Sequence, residues 1–141
     1  MVGCRNLKHL LMSEQELFDY LQKNHLPDLE MSDEPMSHWD CYSAKYQYDI
    51  ELKCRRTHYD DLLIEKMKYD NLISRSAKYG TTPIYINSTP IGIYVFNLSE
   101  MQIDWQTKKM PATTDFARKE KVDKVVGFLN LTKAKKIYAN T

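Results

Sequence analysis

Residues 48–56 read YDIELKCRR, and the fold turns on how this stretch is taken. Tyr48, Ile50 and Leu52 alternate with Asp49, Glu51 and Lys53. Side chains at i, i+2 and i+4 of a strand share a face, so the alternation predicts a half-buried strand with one apolar and one charged side. That charged side carries two carboxylates and an amine in succession. It is either an ordinary solvated face or part of a metal-dependent active site.

Working outward, HWDCYSA (38–44) is a second strand-like run, close enough to 46–54 to form a hairpin. Upstream, SEQELFDYLQKN (13–24) predicts a helix opened by a capping box between Ser13 and Glu16. Its apolar stripe is Leu17, Phe18 and Leu21, and Glu14 shares that stripe. Downstream, 59–80 predicts a long helix stopped at Gly80. Strands follow at 82–89 and 90–99 around a Thr-Pro turn, with a further short strand at 101–105. Thr113 and Thr114 can cap a short helix from Asp115, 123–131 fits a short strand or a buried segment, and 132–138 fits a final helical turn. Helix, strands, helix, strands is the order of an α/β or α+β domain with a mixed sheet.

A length of 141 residues suits one domain over 1–141, with a core at about 13–99 and a basic extension at about 105–141. No apolar run reaches the roughly 18–20 residues of a membrane span, and the N-terminus lacks a secretory pattern. Cys4, Cys41 and Cys54 are too scattered for a disulfide framework or zinc site, so a reducing, cytoplasmic setting is expected. The net charge of +1 hides an asymmetry. Residues 1–104 hold 11 Lys+Arg against 16 Asp+Glu, whereas 105–141 hold 9 against 3. Lys108, Lys109 and Arg118 could therefore track a nucleic-acid backbone, or form a solvated lysine-rich surface.

If 38–44 and 46–54 pair, Asp40 and Glu51 meet on one face with Lys53 beside them. Two carboxylates and a backbone carbonyl, here that of Leu52, make a hard oxygen site suited to Mg²⁺ or Mn²⁺. Phosphodiester hydrolysis uses such an ion to polarise the phosphate, and a nearby ammonium to orient water or stabilise growing charge. Asp49 is a second acid on this face, able to replace or supplement Asp40.

Asp40, ten residues, then Glu51-Leu52-Lys53 resembles the core of the PD-(D/E)XK nuclease superfamily, which includes restriction enzymes, Holliday junction resolvases and phage recombination exonucleases. The segment ELKCRRTHYDDLLIEKMKYDNLI followed by PIGIYVFNL resembles its small phage-encoded members. The resemblance implies a restriction-endonuclease-like core, a central mixed sheet flanked by helices. It implies Mg- or Mn-dependent cleavage of DNA by Asp40, Glu51 and Lys53, directed by DNA structure or ends, in a phage or mobile element. It also implies a first-helix glutamate at the metal, for which Glu14 is the better match and Glu16 the second. Glu65-x-x-x-Tyr69 resembles a Gln-x-x-x-Tyr pattern of the phage exonucleases, and Arg55, Arg56, Lys66 and Lys68 would then contact phosphates. DNA is the implied partner, no membrane is involved, and a resolvase-like homodimer fits. The alternative function is a catalytically silent nuclease fold that binds DNA or protein. The sequence departs from the pattern in having no proline before Asp40.

Overall fold

Ser13 caps the first helix, α1 (Glu14–Asn24), as expected: its Oγ accepts from the Glu16 amide at 3.1 Å, and Glu16 Oε1 accepts from the Ser13 amide at 3.0 Å. In the computed structural model, which describes residues 11–32, 39–111 and 120–139, the chain continues through β1 (Glu30–Met31), β2 (Asp40–Ser43), β3 (Tyr48–Cys54) and β4 (Asp61–Glu65). Helix α2 (Lys66–Tyr79) follows, then β5 (Thr82–Thr89), β6 (Gly92–Asn97), β7 (Gln106–Pro111), β8 (Lys121–Asn130) and β9 (Lys135–Ala139).

Six strands form the main sheet in the order β1-β2-β3-β5-β6-β9. β3 and β5 run parallel and the other neighbours antiparallel, which makes the sheet mixed. A parallel pair needs a crossover, and here β4 and α2 supply it. One face of the sheet lies under α1: Leu17, Phe18 and Leu21 pack with Ile50, Leu52, Ile84, Ile86 and Ile93. The other face carries a second cluster, in which Leu72 of α2 joins Tyr85, Tyr94 and Phe96 of the main sheet. Leu98 also belongs to it, as do Leu62, Ile64 and Leu129 from a small antiparallel sheet of order β4-β8-β7. Fully burying each such side chain stabilises the fold by roughly 1.5–3 kcal/mol.

Three expectations are corrected. Residues 59–80 are not one helix, because Asp61–Glu65 form β4. There Leu62 and Ile64 are buried opposite Leu129 and Gly127, so a period of two overrides the helical pattern until Lys66. Residues 101–105 are not a strand; β7 begins at Gln106. Residues 132–138 are not a helical turn. Leu131–Lys133 form one 3-10 turn and Lys135–Ala139 then pair with β6. The basic segment is thus woven into both sheets. Gly80 does end α2, in the left-handed region at φ 67°, where a residue without Cβ fits best. Cys4, the short helix expected near Asp115 and Arg118 lie outside the described residues. Among the described residues, no helix is long and apolar enough to cross a membrane.

Candidate active site

The hairpin places Asp40 directly opposite Glu51, and Tyr42 opposite Asp49. The Leu52 amide donates to the Trp39 carbonyl at 3.1 Å. The next pair, Asp40/Glu51, is therefore the narrow, non-hydrogen-bonded kind, in which facing side chains approach most closely. Both project to the α2 side of the sheet, and each is only 7% exposed. Lys53 shares that face by alternation and is exposed, with Arg56 exposed just beyond.

Helix α2 lays cations over these acids. Arg75 Nη1 donates to Asp40 Oδ2 at 2.9 Å, and Arg75 Nε lies 3.6 Å from Asp49 Oδ1. Lys68 Nζ lies 3.7 Å from Glu51 Oε2. Asp49 also accepts a short hydrogen bond from Thr81 Oγ1, which ties it to the start of β5. Lys68, Leu72 and Arg75 share a helix stripe, since residues three and four apart lie one above the other. Sequence reasoning missed Arg75 altogether; its place three residues after the buried Leu72 was the available signal.

Burial and the neighbouring Asp40 push the Glu51 carboxyl up to about 8, with Lys68 and Arg75 pulling the other way. One of the two carboxyls hydrogen-bonds the other when a proton is present. Asp40 Oδ1 is buried without a hydrogen-bond partner among the described residues. Two adjacent buried carboxylates with an orphaned oxygen fit a hard divalent cation. Among the described residues no three His, Cys, Asp or Glu side chains are grouped to hold a metal. The protein would thus offer two carboxylates, with the Leu52 carbonyl the remaining backbone candidate. Such sparse protein ligation suits Mg²⁺, which keeps waters and binds substrate phosphates.

The other expected residues are spread more widely. Glu14 of α1 accepts from the Cys54 amide at 3.1 Å, so it reaches the end of β3 that carries Lys53. Glu16 is occupied by the cap. Arg55 is held internally: Nε donates to Asn87 Oδ1 at 2.6 Å, and Nη2 donates to Tyr85 Oη at 3.2 Å and to the Leu63 carbonyl. It ties β3 to β4 and β5, while Tyr85 and Asn87 flank Glu51 and Lys53 in register. Lys66 pairs with Asp70 at 2.9 Å and stands 5.6 Å over the Trp105 ring. Tyr69 packs edge-on against Trp105 at 5.1 Å, and Glu65 pairs with Lys124 at 3.1 Å. In the Glu65-x-x-x-Tyr69 pattern, Glu65 is thus engaged within the small sheet and Tyr69 against Trp105, just before β7. Lys109 pairs with Asp123 at 3.1 Å, and Lys108 stands 5.3 Å over Phe128, both on the small sheet.

No family model and no curated protein matches the sequence. Among solved structures, the fold is similar to that of Hjc, a Holliday junction resolvase from the archaeal hyperthermophile Archaeoglobus fulgidus. The TM-score is 0.57 at 14% sequence identity, covering 88% of this chain and 88% of that one. The chain thus has a mixed α+β fold of the restriction-endonuclease-like kind, with a mixed central sheet between α1 on one face and α2 on the other.

Proposed function

We propose that the protein is a metal-dependent nuclease that hydrolyses DNA phosphodiester bonds, directed by branched or terminal DNA structure, within the cytoplasm of a host for a phage or mobile element. The observation that carries this reading is the narrow, buried Asp40/Glu51 pair, with Asp40 Oδ1 lacking a hydrogen-bond partner and Lys53 two residues along on the same face. Similarity of fold to a resolvase supports it.

A bound divalent ion supplies Lewis-acid polarisation of the scissile phosphate. Asp40 and Glu51 would hold that ion, together with the Leu52 carbonyl. Lys53 orients the attacking water and stabilises charge growing on the phosphate oxygens. Glu14 holds the end of β3 and so fixes the direction of Lys53. Arg56, Lys68 and the lysines of the small sheet, Lys108 and Lys109, guide the DNA backbone. Two cuts on a junction require two sites, which a homodimer provides.

The test is incubation of the purified protein with Mg²⁺ or Mn²⁺ and linear, branched or single-stranded DNA. Cleavage lost in Glu51→Gln and in Lys53→Ala, with folding retained, supports the nuclease. A second reading is a silent nuclease fold that binds DNA, favoured by the ion pairs that already engage Asp40 and Glu51. A salt-dependent DNA shift with no cleavage in either metal selects it.

A further inference from the structure

We propose that Arg75 is a resident cation standing where a second metal ion would bind, so that the site takes one divalent ion, on Asp40 and Glu51, and Asp49 is not a ligand. This rests on the reading of Asp40 and Glu51 as a metal pair. Three carboxylates share one face of β2 and β3, which in charge alone could hold two ions. Arg75 divides them. Its guanidinium donates to Asp40 Oδ2 at 2.9 Å, and its Nε lies at ion-pair distance, 3.6 Å, from Asp49 Oδ1 without a hydrogen bond, so its charge stands between the two aspartates. Asp49 Oδ2 is engaged by Thr81 Oγ1. What remains for an ion is Asp40 Oδ1, buried without a partner, and the facing Glu51 carboxyl.

Arg75 suits this role chemically. A guanidinium stays protonated across the usable pH range, and its planar fork can bond two carboxylates at fixed angles. Only 13% of its side chain is exposed, so its charge is poorly screened and opposes a divalent ion on the Asp49 side. Lys68 differs: it is 44% exposed and 3.7 Å from Glu51, so it can swing away as an ion arrives. Asp49, Arg75, Tyr42 and Thr81 help line a cavity of about 490 Å³ that neither Asp40 nor Glu51 lines. With Arg75 removed, Asp49 Oδ1 at that space and Asp40 Oδ2 beside it would lose their cation and become available to a second ion.

Mn²⁺ titration, read by the loss of free-ion paramagnetic signal, tests this on the full chain alongside thermal unfolding of every variant. The wild type is expected to bind one Mn²⁺ per chain. Asp40→Asn should weaken binding by about 100-fold or more, and Asp49→Asn by less than about tenfold, the lower bound for an outer partner of a ligand. Folded Arg75→Met should bind two ions. If Arg75→Met does not fold, the contrast between Asp49→Asn and Asp40→Asn decides alone. Two ions on the wild type, one on folded Arg75→Met, or equal losses in the two aspartate variants would overturn the role of Arg75 and leave the metal pair standing. No binding by the wild type would overturn both.

Discussion

The two faces of β3 are made by alternate residues of one strand, yet they sit in opposite environments. Ile50 and Leu52 face α1 in a dry apolar layer, at 0% and 2% exposure. Asp49 and Glu51 face α2 at 6% and 7%, almost as buried but charged or protonated. The first face stabilises the fold by removing apolar area from water. The second carries a desolvation cost that Arg75 and Lys68 only partly offset, since breaking even with an apolar pair is the usual best case for buried ions. Local conflict of this kind is what proteins tolerate at functional sites, the role proposed for this face.

The largest effect that separates the faces is on chemistry. Lys53→Ala should lower DNA cleavage by about 10³-fold, the range for a positioned acid–base group, at nearly unchanged thermal midpoint, and Glu51→Gln should abolish cleavage by removing a metal ligand. Leu52→Ala should do the reverse, lowering stability by about 4 kcal/mol in urea titration while the folded fraction still binds Mn²⁺. Arg75→Met should lower stability by about 3 kcal/mol, because buried Asp40 loses its hydrogen-bonded partner and Asp49 a neighbouring charge. A loss as small as that of an exposed ion pair would show that the charged face is wetter than its burial implies.

The faces also differ in their response to pH. Glu51 titrates near 8 in the fold, against an ordinary value of 4.5. Between those values the folded chain holds a proton that the unfolded chain has released. Its contribution is therefore complete below pH 4.5 and is lost as pH rises through about 8. Without divalent metal, the thermal midpoint should fall over that window in the wild type. Glu51→Gln should lack this component. Mg²⁺ should restore the midpoint most at the alkaline end, where it no longer competes with the proton. The smallest effect lies far from the strand: Ser13→Ala should cost about 1 kcal/mol by removing the α1 cap.

What could be read in advance was local. Ser13 and Glu16 are three residues apart, and the β2–β3 hairpin and the 82–89 strand declare themselves by alternation and by Pro83 and Pro90 nearby. Asp40 and Glu51 were legible because hairpin register follows from a short connection. β4 was not, because Leu62-Leu63-Ile64 fits either period and its partner, β8, lies far along the chain at Lys121–Asn130. Arg75 was hidden for a similar reason. Its carboxylate partner is 35 residues away, and a lone arginine on an amphipathic helix reads as a wet residue until the sheet is laid beneath it.

β4 leads directly into α2, and all its ladder bonds run to β8. The platform on which Arg75 and Lys68 ride is therefore moored at its β4 end by residues 121–130, in addition to the packing of Leu72 on the main sheet and the ion pairs to the hairpin. Proteolytic nicking upstream of Lys121, followed by loss of the downstream piece, would cast off that mooring while leaving every candidate metal ligand covalently in place.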